Sequence, residues 1–267
     1  MKKLIYIALI LGLLSCEEDD NDIVTDSIKP KKIIEITNET QDTSYYSYDG
    51  ANPTLIESNN QLITFEYQSN KLSKRKIFRK GDDIPWLYQE YEYNSESKLI
   101  KESYYINENS TVEGWIDEPI DSYRLSAYYI YEYNGDKPNI EYYVNNYTND
   151  TSSYTLIEYD SNNNITSKNQ YTHSVGEYVK LRAHKYIYDN KNHYFKNVNY
   201  PAFGKIFSIV SNILIEEKTG YSISWDYQTG HSITDSTKTT YNYSYEYNEF
   251  DYPVRIEENN RTMIIEY

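Results

Sequence analysis

Along most of the chain, apolar and polar residues alternate with a period of two. Tyr241, Tyr243, Tyr245 and Tyr247 fall on one side of an extended backbone, and Asn242, Ser244 and Glu246 on the other. That is the pattern of a strand with one face toward a core and one toward water. Tyr129, Tyr131 and Tyr133 repeat it, and β-branched and aromatic residues dominate over strong helix formers. A short phrase recurs: alternating aromatics or aliphatics ending in Tyr, then Asn, Asp or Gln, a polar turn, and a second alternating run. Its key tyrosines are Tyr48, Tyr67, Tyr93, Tyr133, Tyr159, Tyr188, Tyr247 and Tyr267, spaced 19 to 59 residues apart. The shortest interval holds two strands and two turns, so each repeat is one β-hairpin and the longer intervals carry insertions. The last phrase, Ile265-Glu266-Tyr267, stops after its first strand.

The turns have matching chemistry, as in Asp49-Gly50-Ala51-Asn52-Pro53, Asn134-Gly135-Asp136-Lys137-Pro138 and Ser161-Asn162-Asn163-Asn164. The pattern therefore predicts an all-β fold. It is a curled antiparallel meander of about 14–17 strands, because twist accumulates across so wide a sheet. The tyrosine face should line the concave or enclosed side and the acidic face should meet water. One segment breaks the beat: after Asp189–Pro201, residues 202–210 are apolar at helical spacing and predict a short helix, with a further buried strand as the alternative.

Composition narrows the setting. Tyr accounts for 34 of 267 residues, and the formal net charge is −15. A single Cys excludes an internal disulfide framework and a Cys-cluster zinc site. Residues 1–15 begin with Lys2 and Lys3, continue in the apolar run Leu4 to Leu14, and precede Cys16. This resembles a bacterial lipoprotein signal, in which the Cys is lipidated and becomes the new N-terminus. Cys16 is thus the expected lipidation site, and a multiply acylated Cys anchors stably in a membrane. The acidic run Glu17-Glu18-Asp19-Asp20-Asn21-Asp22 reads as a solvated tether, and it also resembles the export signal of Bacteroidota surface lipoproteins. Residues 16–31 form the lipidated tether and residues 32–267 a single β domain. The expected location is the outer membrane, facing the outside, with a periplasm-facing orientation as the alternative. Asp26-Ser27-Ile28 and Asp235-Ser236-Thr237 resemble the O-glycosylation motif of that phylum, which makes Ser27 and Ser236 candidate acceptors. The negative charge disfavours nucleic acid as a partner.

The repeated Tyr-Asn/Asp hairpins, the Asp189-to-Asn197 phrase and the following Ser211-Asn212-Ile213 resemble one family. It comprises Bacteroidota cell-surface lipoproteins with Tyr-Asp repeats, distantly similar to Rhs-type repeats. The likeness spans about residues 33–267. Where that family usually carries Asn-Pro-Phe, this chain has His193-Tyr194-Phe195. The resemblance implies a curled antiparallel β-repeat structure and no established activity.

No catalytic constellation emerges. His173, His184, His193 and His231 lack metal-ligand spacing, and Asp160-x-Asn162-x-Asn164 fails as a calcium loop because Ile165 stands where Gly is needed. No metal or cofactor is expected. Lys71, Lys74, Arg75, Lys76, Arg79 and Lys80 form the one basic cluster, read as a solvated hairpin edge. The tyrosines read as core with satisfied hydroxyls. Trp86, Trp115 and Trp225 sit in insertions and are the candidate ligand-binding residues. The leading expectation is a non-enzymatic surface lipoprotein that binds or scaffolds, with glycan as the candidate ligand. A structural or protein-docking module of the envelope is the alternative, and a hydrolase acting on polysaccharide or peptide comes third.

Overall fold

The computed structural model describes residues 28–107, 122–148, 150–174, 176–199, 211–226 and 230–267, with the side chains of 225–234 excepted. Among these residues the chain forms strands and no helix. The strands are β1 (Lys32–Ile36), β2 (Gln41–Asp49), β3 (Asn52–Glu57), β4 (Gln61–Gln68), β5 (Lys71–Arg79), β6 (Leu87–Tyr93), β7 (Leu99–Asn107) and β8 (Tyr123–Asn134). They continue as β9 (Lys137–Asn145), β10 (Asp150–Tyr159), β11 (Ile165–Ser174), β12 (Glu177–Tyr188), β13 (Ile213–Asp226), β14 (Gly230–Tyr247), β15 (Pro253–Glu258) and β16 (Arg261–Glu266). Each strand pairs antiparallel with its sequence neighbours. β1 also pairs with β16, from Lys32↔Glu266 to Ile36↔Thr262, so the sheet closes into a barrel. The all-β meander and its strand number follow the expectation, and twist carries the curl through to closure. The helix expected at 202–210 lies outside the described residues.

Closure completes the repeat. The interrupted final phrase supplies β16, and β1 at the other end of the chain supplies its missing partner strand. In the seven connected hairpins a β-bulge falls at the key tyrosine, opposite Pro53, Leu72, Leu99, Pro138, Ile165, Ile213 and Pro253 in turn. A bulge bends the strand and re-aims the side chain. Here the ring reaches back to the preceding hairpin. Tyr48 Oη donates to the Pro30 carbonyl at 2.8 Å, Tyr67 to Pro53 at 2.8 Å, Tyr93 to Leu72 at 3.0 Å and Tyr133 to Leu99 at 2.7 Å. Tyr159 donates to Pro138 and Tyr267 to Pro253, both at 2.9 Å, and Tyr188 bonds the Ile165 backbone. At the seventh step Tyr245 takes the Ile213 carbonyl at 2.5 Å, while Tyr247 donates to Asp189.

Lys29, Lys71, Lys98 and Lys137, each one residue before an accepting carbonyl, lie 4.6 to 5.7 Å above the same rings. The residue after the tyrosine caps the turn. Asn94, Asp160 and Asn248 each accept two backbone N–H groups through Oδ1, the Asx geometry that short polar side chains favour. Asp160, first residue of the rejected calcium motif, is a turn cap.

The tyrosine ladder circles one end of the barrel, where Ile28, the first described residue, and Tyr267 also lie. Ile28, Lys29 and Pro30, within the span assigned to the tether, pack against it, and Pro30 is fully buried. The same end is crossed by residues 189–199, which follow β12. Asn192 bonds the Phe250 carbonyl and the Asp251 backbone. Asn197 bonds Ile28 and Tyr252, and Asn199 reaches Ala51 and Asn52. Phe195 is buried among Ile33, Ile256 and Ile265, with Tyr46 at its side.

A second apolar cluster fills the lumen between β3 and β8, built on Ile56, Phe65, Leu72, Tyr91, Leu99 and Tyr131. The interior is not wholly apolar, which corrects the simple picture of grease inside and acid outside. Glu102 is buried and accepts from Gln89 at 3.0 Å, Tyr104 at 2.8 Å and Tyr131 at 3.0 Å, with Arg75 bonded to Gln89 behind them. Burial raises the Glu102 carboxyl above its ordinary range, partly offset by the two phenol donors. Glu141 and Glu216 are also buried inside.

The outer wall carries charges, and also tyrosines, which corrects the expectation that these rings line the enclosed face: Lys74 lies over Tyr88, Lys101 over Tyr128, and Tyr45 is exposed. Lys74–Glu90, Lys76–Glu66, Lys101–Glu92, Lys238–Glu217, Arg255–Glu246 and Lys32–Glu266 bridge adjacent strands. Glu132, Glu158 and Lys185 are exposed on the strands between. Such pairs contribute little individually, but a wall that carries them is compatible with water. A lipid-facing wall needs an apolar band, because a cation at the bilayer midplane costs about 2–4 kcal/mol.

Candidate functional site

Between β8 and β13 the lumen is left unfilled. A cavity of about 570 Å³ is lined there by side chains of six adjacent strands, a volume in the usual range for a small-molecule site. Register places its lining in cross-strand rows. One row runs Glu141, Thr155, Gln170 and Arg182, with Gly220 next in register beyond the lining, and another Ile157, Lys168, His184 and Lys218. Toward the end away from the ladder stand Tyr129, Tyr143, Ser153 and Thr172.

The electrostatics are mixed. His184 Nδ1 lies 3.0 Å from Glu216 Oε1, and Lys218 Nζ 3.5 Å from Glu216 Oε2. Tyr243 donates to the same carboxylate at 3.3 Å. Burial pushes the Glu216 carboxyl up, but the His184 bond, the Lys218 charge and the Tyr243 hydroxyl outweigh it and hold the group below its usual value. Burial, with Glu141 and Tyr143 nearby, pushes the Tyr129 phenol up to about 12. Arg182 has no carboxylate partner among the described residues. Gly220, directly opposite it on β13, has open space where a Cβ would point.

A smaller cavity of about 210 Å³ lies behind the 189–199 crossing, lined by His193, Tyr194, Tyr243, Tyr245 and Met263 among others. Burial drops the His193 imidazole to about 3, so the ring is neutral. Its Nδ1 accepts the Phe195 N–H at 3.1 Å.

The sequence-derived candidates fall elsewhere. Trp86 begins the run into β6 at the rim opposite the ladder; its backbone bonds Ile77 and Asn107, and its indole Nε1 is buried with no hydrogen-bond partner among the described residues. It does not line the larger cavity. Trp115 lies outside the described residues. Trp225 belongs to β13 by its backbone, and its side chain is outside the described set. Residues 221–226 and 230–236 pair only with each other, so this hairpin extends as a ribbon past β12 and β15. Ser236 is exposed on that ribbon, while Cys16 and Ser27 lie outside the described residues. The basic cluster divides: Lys74, Lys76 and Lys80 pair with acids on the outer wall, and Arg75 turns inward. Among the described residues no group of three or more metal-ligating side chains converges. The cavity residues were missed because each sits on a strand with polar residues in both alternations. In Ile165-Thr166-Ser167-Lys168-Asn169-Gln170 nothing marks the inward set.

No family model and no curated protein matches the chain. Among solved structures it is similar to a porin-like protein from Bacteroides uniformis, at 11% identity and a TM-score of 0.51, over 89% of this chain and 97% of that one. A porin-like protein from Bacteroides vulgatus aligns at 10% identity and a TM-score of 0.42, over 90% and 98%. The Tc holotoxin pore of Photorhabdus luminescens aligns at 13% identity and a TM-score of 0.34, over 84% of this chain but 9% of that one. The first of these likenesses extends to the fold of a closed antiparallel β-barrel.

Proposed function

We propose that this chain is a lipid-anchored envelope protein that holds a small polar ligand in the lumen of a water-filled, non-catalytic barrel. The observation that carries the reading is the cavity between β8 and β13, where tyrosine rings, hydroxyls, amides and charges converge inside a wall whose outer face suits water. Aromatic faces beside hydrogen-bonding side chains are the chemistry that holds a saccharide, so glycan is the ligand class we favour. The described chain begins at the ladder end. With Cys16 lipidated and the acidic run as tether, that end faces the membrane and the opposite rim faces outward. The comparison protein is called porin-like. For this chain the charged outer wall favours a barrel standing beside the bilayer over one spanning it.

Calorimetric titration of the intact protein, extracted in mild detergent, with a panel of mono- and oligosaccharides tests the reading. Saturable binding that is lost on Gln170→Trp, which fills the cavity, supports it. Absence of binding across the panel at millimolar concentration removes it, and turnover of a bound saccharide would instead give Glu141 and Glu216 a catalytic role.

A further inference from the structure

Three cations, Lys168, Arg182 and Lys218, line a cavity inside a protein whose formal net charge is −15. Two of the surrounding side chains already have a partner. Lys218 and His184 both engage Glu216, and Glu216 accepts from Tyr243 as well. Arg182 differs. It points inward on β12 in register with Gln170 on one side and Gly220 on the other, and neither neighbour carries charge. The residue is exposed and lines the cavity, and no acid among the described residues pairs with it.

A planar fork of N–H donors in that setting matches an oxyanion in two-point fashion. Gly220 leaves the space beside it open, and its φ lies outside the left-handed region, so the opening is not demanded by backbone conformation. Glycine in a strand interior costs stability, and one use of it is to let a ligand approach closely. Around this point Thr155, Gln170 and Thr172 offer hydroxyl and amide groups, and Tyr143 a ring face.

We propose that the lumen site takes an acidic sugar, with Arg182 gripping the anionic substituent and Gly220 giving it room. This rests on the lumen-binding reading above and names the ligand class. The polyhydroxylated ring lies along the hydroxyl and amide row, and the anionic group points toward β12 and β13. Carboxylate and sulfate share the required chemistry.

The test is titration of the intact, detergent-extracted protein with glucuronate, glucose 6-sulfate and glucose, for wild type, Arg182→Gln and Gly220→Val. Arg182→Gln removes the charge and keeps the hydrogen-bonding reach. Gly220→Val suits a strand and fills the space beside Arg182. Circular dichroism and melting confirm that both variants fold. At least one acidic sugar is expected to bind about tenfold or more tightly than glucose, the scale of a charge-assisted pair. Binding should weaken with salt, by about tenfold or more in Arg182→Gln and to a similar degree in Gly220→Val. The ratio of the two acids tells carboxylate from sulfate, and either outcome supports the proposal. Equal binding of glucose and the acids, unchanged in Arg182→Gln, overturns the proposal and leaves a neutral-sugar lumen standing. Absence of binding by all three overturns the lumen reading together with this inference.

Discussion

The Tyr133 hydroxyl sits 2.7 Å from the Leu99 carbonyl, with the Lys98 ammonium 5.7 Å from the centre of its ring. Burial pushes the phenol up to about 12, so the hydroxyl stays protonated and donating through the physiological range. Tyr133→Phe keeps the ring and strands the carbonyl. The expected loss is about 1–2 kcal/mol in urea unfolding. Tyr45→Phe, on an outward and exposed ring, should change stability by less than about 0.5 kcal/mol. His193 gives a second test at this scale. Its folded value near 3 lies below the unfolded 6.5, so the unfolded chain binds the extra proton between those limits. The stability this contributes is complete above pH 6.5 and is lost as pH falls toward 3, at a limiting slope of about 1.4 kcal/mol per pH unit. The imidazole's Nδ1 accepts the Phe195 N–H two residues on, the bond an Asx turn makes. His193→Asn should therefore keep the turn, match wild type at pH 7.5 and flatten the acid limb of a stability-versus-pH curve.

At the level of elements, the hairpins were legible because each combines a two-residue beat with a turn that needs Asn, Asp, Gly or Pro. The positive φ at Gly50, Asn70, Gly135, Asn163 and Asp251 shows those turns in place. The inward direction of Tyr241, Tyr243, Tyr245 and Tyr247 was legible for the same reason. The site was not. β10 to β12 carry Ser, Thr, Lys, Gln and Asn in both alternations, so period alone could not separate a wet lumen from a wet exterior. Aromatic content also misled, because Trp86 lies at the rim and the cavity is built on tyrosine and charge. The crossing at 189–199 depends on contacts across more than a hundred residues, such as Asn197 with Ile28 and Asn199 with Asn52, which no local pattern encodes. Phe195→Ala should empty the apolar seat among Ile33, Ile256 and Ile265 and lower unfolding stability by about 3–5 kcal/mol. Phe78→Ala, on the outer side of β5, should cost much less.

Across the whole molecule, the two chain ends form one repeat between them. The Lys31 N–H bonds the Glu266 carbonyl at 2.7 Å and β1 runs antiparallel to β16, so the first and last described strands cover each other's edges, and unpaired edge remains on the β13–β14 ribbon that runs past β12 and β15. Tyr267 completes the ladder by bonding Pro253, and Pro30 begins it by accepting Tyr48. The interrupted last phrase is thus the seam of the barrel. Together with the ion pairs on its outer wall, this is the basis of the proposal that the closed barrel stands in water without lipid around it. Analytical ultracentrifugation of residues 28–267 in detergent-free buffer measures that claim directly. The account predicts a single monomeric species of native β-sheet content whose sedimentation does not change when detergent is added. Aggregation relieved only by detergent, with detergent bound around the protein, would contradict it.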